Sequence, residues 1–150
     1  MRIVVQACDF DAGALLEAMR DGRRDIGALV SFTGIVRDTA GDLLDMTLEH
    51  YPGMTETALE EIAARAMETF GLLDALIVHR FGTMKPGEQI MMVAASAPHR
   101  QAAFDGANYM MDFLKSRAPF WKSERRVDGA RWVAARDDDE IARDRWSARS

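Results

Sequence analysis

The chain is 150 residues long, 48% hydrophobic and 29% charged, with a formal net charge of −5. Those values fit one globular domain built on one core and exclude a disordered or fibrous chain. The acidic balance disfavours a generic nucleic-acid surface, no apolar run approaches the roughly 20 residues that span a bilayer, and a lone cysteine, Cys8, excludes an internal disulfide or a multi-cysteine zinc site.

In chain order, residues 2–6 read as a strand. The opening MRIVVQACDF has a charge and only a short apolar stretch, so it reads as that strand and not as a signal peptide, and the cytoplasm is the expected compartment. Residues 11–19 read as a short helix with Ala12, Leu15, Leu16 and Met19 on one side. A turn at Asp21–Gly22 precedes a β-branched strand over 27–36, then a polar loop over 37–42. Residues 45–51 form the next expected strand, with Met46, Leu48 and His50 on one face. The spacing of Ala58, Leu59, Ile62, Ala63, Ala66 and Phe70 predicts an amphipathic helix over 55–70, with Thr55 as N-cap and Gly71 just past its end. Strands are expected over 74–81 and 89–96, separated by the turn Lys85-Pro86-Gly87. A long helix follows over about 98–117, ended by Pro119. Residues 120–127 and 131–134 read as a hairpin turning at Asp128–Gly129, and the charged tail 136–150 as a loose helix or flexible end. Strands with two main helices among them predict an α+β fold with a mainly antiparallel sheet.

Chemistry-bearing residues concentrate near the end of the long helix. Lys115, Arg117 and Lys122 lie close together, flanked by Phe120 and Trp121, and Arg125, Arg126, Arg131 and Arg136 extend the basic region. Two readings stand. Cations at a helix C-terminus complement the helix dipole; alternatively, crowded cations with only Glu124 and Asp128 among them mark an anion or partner site, and a partly desolvated lysine there can serve as acid, base or nucleophile. At the start of the same helix, Pro98-His99-Arg100 offers outward N–H groups, a planar guanidinium and a titratable ring, a combination suited to an anion or to an empty exposed turn. Arg37, after a strand containing Gly34, is a weaker signal of the same type. Cys8 has no cationic run beside it and reads as a small core or surface residue and not as a nucleophile, while the strand histidines His50 and His79 read as structural. The three histidines are too dispersed for a metal motif, so no metal and no cofactor are expected. The methionines read as core filler.

The segments SFTGIVRD, LEHYPGMTE, VHRFGTMKPGE, SAPHRQAAF and MDFLKSRAPFWKSE occur in that order. In them the chain, from about Gly27 to Arg136, resembles the large, catalytic subunit family of molybdopterin synthase. The resemblance implies an α/β hammerhead-type fold. It implies a sulfurtransferase that converts cyclic pyranopterin monophosphate into molybdopterin. The sulfur would come from a small ubiquitin-like subunit with a C-terminal Gly-Gly thiocarboxylate, in a heterotetramer built on a homodimer of large subunits. On this resemblance Lys115 is the central catalytic lysine and Lys122 the second. Arg37, His99 and Arg100 bind the substrate's anionic and polar groups, Ser123 and Glu124 continue the site after Lys122, and Ile35 and Val36 line the approach to Arg37. Some family members carry lysine in place of Ile35 and a basic residue in place of Ser123, which leaves backbone contacts as the roles those two inherit. The competing readings are a non-catalytic phosphate- or pterin-binding module and, remotely, a nucleic-acid binder using residues 115–136.

Overall fold

A computed structural model of the chain describes residues 1–133 and 145–146. The expected helical tail over 136–150 therefore falls almost wholly outside the described residues, as does Arg136. The described elements are β1 (Arg2–Gln6), α1 (Ala12–Arg20), β2 (Ala28–Ile35), β3 (Leu43–His50), α2 (Met54–Phe70), β4 (Asp74–Arg80), β5 (Gly82–Met84), β6 (Gln89–Ala97), α3 (Arg100–Arg117), β7 (Phe120–Arg126) and β8 (Gly129–Val133). The fold is α+β and mostly antiparallel, as the sequence predicts. The strands divide into two sheets rather than one, in the orders β1-β4-β6-β2 and β5-β3-β7-β8. Only β1 and β4 run parallel among the described pairs.

Alternation along the central strands explains the first sheet. Ala75, Ile77, Met91, Val93 and Ala95 face α2 and α3, packing with Leu59, Ile62, Ala103, Met110 and Leu114. Leu76, Val78, Met92 and Ala94 face the other way, toward Leu15, Leu16 and Met19 of α1. Because both faces are covered, β4 and β6 read as near-continuous apolar runs. The second sheet has its own small core of Val36, Leu43, Met46, Leu48 and Met84.

Local chemistry sets the helix ends. The Asp11 carboxylate accepts the Ala14 N–H at 2.9 Å and caps α1. Gly71 closes α2 in the left-handed conformation at φ 65°. The start of α2 departs from expectation. Gly53 is the N-cap, its N–H held at 2.6 Å by Glu56, and Thr55 is fully buried. The Thr55 hydroxyl, freed from capping, accepts the Tyr51 N–H at 2.9 Å and donates to the Pro119 carbonyl at 3.1 Å. The strand β5 was not expected either. It is only Gly82–Met84, and it exists because Leu48 and Met46 of β3 pair with it.

Candidate functional site

α3 follows β6 after a two-residue turn and packs back along β6 and β2. This return brings its C-terminal end to the junction of the two sheets. Pro119 cannot continue a helix and biases Ala118 toward extended backbone, observed at φ −68°, ψ 130°. The Ala118 N–H still reaches the Leu114 carbonyl at 3.3 Å, and the Phe120 N–H bonds the Ala118 carbonyl at 2.9 Å. The chain then enters β7. Lys115 thus sits on the last turn of α3 over the first sheet, and Lys122 sits in the second sheet, on either side of a tightly held linker.

Phe120 turns inward from that linker. Its ring stacks on His79 of β4, with centroids 3.7 Å apart and planes 18° apart. His79 is buried, and its Nδ1 lies 2.9 Å from the Arg80 carbonyl. A carbonyl only accepts, so Nδ1 carries the proton and Nε2 is the unprotonated nitrogen. Burial lowers the His79 pKa to about 4, and the neighbouring Lys115 and His50 charges act in the same direction. His79 is therefore a neutral imidazole at neutral pH beside Lys115. Trp121, by alternation, points away and is 46% exposed.

The basic run is less crowded than its sequence implies. Arg125 forms an ion pair at 2.5 Å with Asp45 across the β3–β7 ladder, and Arg126 bonds both Asp42 and Glu124. The Arg125 guanidinium holds the Asp45 carboxyl below the usual carboxylate range. Sequence inspection missed Asp42 and Asp45 as counter-charges because strand pairing, not proximity along the chain, delivers them. Lys122 lies 3.8 Å from Glu124. The composition is informative here: the chain has three lysines, Lys85, Lys115 and Lys122, against sixteen arginines. Lysine can give up its proton and arginine cannot, and two of those three lysines flank this linker.

Arg37 is exposed immediately beyond β2, at the end of the first sheet where Lys115 lies: Lys115 acts on His79, and both His79 and Gly34 are level with Met91. Ile35 is 48% exposed. Val36 stands between Ile35 and Arg37. Its side chain is buried in the second sheet's core, its N–H bonds the Glu88 carbonyl at 2.9 Å, and its carbonyl accepts the Gly87 N–H at 2.8 Å. That burial and those two bonds fix Val36 and anchor Arg37 beside it. Ser123 points to the opposite face of β7 from Lys122 and Glu124, and β7 is paired on both sides, so its backbone is engaged as well.

His99 and Arg100 are not brought to the lysines within one chain. His99 is the N-cap of α3 and Arg100 its first residue, and both are exposed. Fifteen residues of helix separate Arg100 from Lys115, about 22 Å along the axis. The β2–β6 register gives the same answer, since Arg37 lies past the Ile35↔Gln89 end and His99 past the Ala28↔Ala97 end, on the order of 25 Å apart.

These features define a class: a two-sheet α+β protein with lysines and an arginine at the sheet junction and a second cationic turn at the far end of the same helix. The sequence model of the MoaE protein family matches residues 5–117. The molybdopterin synthase catalytic subunit of Rhizobium meliloti strain 1021 is 55% identical over 147 residues, covering 97% of this chain and 95% of that one. The solved structure of the molybdopterin biosynthesis MoaE protein from Burkholderia ambifaria superposes with a TM-score of 0.85 at 49% identity, covering 97% of each chain. A protein–protein complex of subunits 1 and 2 of molybdopterin-converting factor from Helicobacter pylori shares the fold, with a TM-score of 0.76 at 20% identity and coverage of 89% and 91%. The chain belongs to the MoaE family, the catalytic subunits of molybdopterin synthase, which act in molybdenum cofactor biosynthesis.

Proposed function

We propose that the chain transfers sulfur from the thiocarboxylated C-terminus of a small ubiquitin-like subunit to cyclic pyranopterin monophosphate, building the dithiolene of molybdopterin. The observation that carries this reading is the pair Lys115 and Lys122 astride one fixed linker, with Arg37 at the same end of the first sheet. The Helicobacter pylori protein that shares this fold is a complex of subunits 1 and 2 of molybdopterin-converting factor, and this reading calls for a second subunit here as the sulfur carrier.

In this reading Arg37 holds the substrate's anionic group, and cationic donors stabilise charge as the cyclic phosphate opens. Lys115 assists attack by the thiocarboxylate sulfur on the pterin side chain and moves the associated proton, with Lys122 as its partner. The sulfur arrives on another chain, so Cys8 has no part in the chemistry. The separation of His99 and Arg100 from the lysines gives the homodimer a purpose. A second copy supplies its His99–Arg100 turn to the Lys115 end of the first, so each site is completed by both chains. The cytoplasm is the compartment that suits this reaction.

The test is reconstitution. Purified chain, thiocarboxylated small subunit and cyclic pyranopterin monophosphate are expected to yield molybdopterin, and Lys115→Ala to abolish the product while leaving the dimer intact. Ligand binding without turnover in the unaltered protein overturns the reading in favour of a binding module.

A further inference from the structure

Two of the few buried polar side chains among the described residues, Thr55 and His79, have no part in the reaction just proposed. Burying a polar group is unfavourable unless its hydrogen bonds are replaced. In both, what replaces or covers them leads to the linker between the lysines. Thr55 donates to the Pro119 carbonyl at 3.1 Å while accepting the Tyr51 N–H at 2.9 Å, tying the linker to the start of α2. His79 presents its ring face to Phe120 at 3.7 Å, and its Nδ1–H is spent on the Arg80 carbonyl at 2.9 Å, which fixes the ring plane. Pro119 and Phe120 are consecutive, so α2 and β4 grip the linker at adjacent residues. Any slip there moves Lys115 relative to Lys122, because the backbone that joins them runs through these two residues.

We propose that Thr55 and His79 are positioning residues for the two lysines: a hydroxyl on Pro119 and a ring on Phe120 together set the distance and angle between Lys115 and Lys122. The proposal rests on the sulfur-transfer reading for its catalytic consequence, but its geometric content is independent of it.

The variants are Thr55→Val, which keeps shape and loses both hydrogen bonds, Thr55→Ser, which restores the hydroxyl, and His79→Phe, which keeps a ring but loses its fixing bond. Two readouts are taken well below each variant's unfolding midpoint. The first is acetylation of Lys115 and Lys122 by a small acylating reagent, read by mass spectrometry against exposed Lys85 as internal standard. The second is sulfur transfer with thiocarboxylated small subunit and cyclic pyranopterin monophosphate. Thr55→Val is expected to change the Lys115-to-Lys122 labelling ratio at least three-fold and lower kcat at least ten-fold, with KM within two-fold. Thr55→Ser is expected to restore both, and His79→Phe to shift the ratio in a folded protein. Unchanged ratios in folded Thr55→Val and His79→Phe overturn the proposal; if Thr55→Val does not fold, an unchanged ratio in His79→Phe alone does so. Shifted ratios in a protein whose unaltered form shows no sulfur transfer uphold the positioning role and reject the sulfur-transfer reading.

Discussion

His79 and Phe120 lie face to face, 3.7 Å between ring centroids, and this stack joins a central strand of the first sheet to the first residue of β7 in the second. A protonated imidazole is poorly accommodated there. The ring is buried, its proton-bearing Nδ1 already serves the Arg80 carbonyl, and Lys115 and His50 add positive charge nearby.

The stack therefore carries a pH signature. With a folded pKa of about 4 against an ordinary 6.5, the unfolded chain binds a proton across that window which the folded chain refuses. Stability falls as pH drops from 6.5 toward 4, and the group gives no slope above 6.5, where both states are neutral. The expected loss is about 3 kcal/mol in total, at no more than about 1.4 kcal/mol per pH unit. Urea unfolding at half-unit pH steps measures it, and His79→Phe is expected to flatten the curve across that window. An equal slope in the variant would show that another group is responsible.

Much of this arrangement was legible in the sequence, and the gaps have physical causes. The period of Leu59, Ile62, Ala63 and Ala66 located α2, because a buried helical face must repeat that way. Pro119 located the end of α3. The division into two sheets was not legible, since pairing partners such as Leu48↔Lys122 and Leu48↔Gly82 are set by tertiary contacts. Thr55 looked like a cap because threonine favours that position, and only the nearby Pro119 carbonyl reveals its other use. The separation of Arg100 from Lys115 was implicit in the length of the expected helix: a straight helix cannot bring its two ends to one ligand.

Charge and proton release can be separated at Lys115. Lys115→Arg keeps the cation but cannot release a proton near neutral pH. Loss of a proton-transferring group typically costs about 100- to 10,000-fold. Both Lys115→Arg and Lys115→Ala are expected to lose kcat in that range, with substrate affinity better kept in the arginine variant. Near-normal turnover by Lys115→Arg would reduce Lys115 to an electrostatic role.

Gly27 governs how closely the turn bearing His99 approaches β2. A Cβ at this position would meet the Pro98 carbonyl oxygen at 2.0 Å, while the Gly27 N–H bonds the Ala97 carbonyl at 3.0 Å. The obstacle is backbone and cannot swing aside, so Gly27→Ala is expected to destabilise by about 3 kcal/mol or more. Gly106→Ala is the control. Its Cβ meets a side chain and not backbone, the Leu72 branch tips at 2.7 and 2.8 Å and its Cγ at 3.2 Å, and alanine gains about 1 kcal/mol of helix propensity. That variant is expected to stay within about 1 kcal/mol of the parent. Thermal unfolding of the two side by side tests the contrast, and equal losses would contradict it.

The distance along α3 also decides whether one chain can be active alone. If each site takes Lys115 from one copy and Arg100 from the other, Lys115→Ala and Arg100→Ala are each inactive as pure dimers. Mixed and allowed to exchange, equal amounts form mixed dimers about half the time, and each mixed dimer holds one site with both residues intact and one with neither. Activity should return to about a quarter of the unaltered level. A site built within a single chain predicts no recovery, because every chain in the mixture lacks one of the two groups. The recovered fraction, measured as molybdopterin formed per dimer after exchange is complete, separates the two arrangements without a structure of the assembly. No recovery despite demonstrated exchange would place Lys115 and Arg100 in the site of a single chain, whereas an Arg100→Ala dimer active by itself would return Arg100 to an exposed helix start with no part in the site.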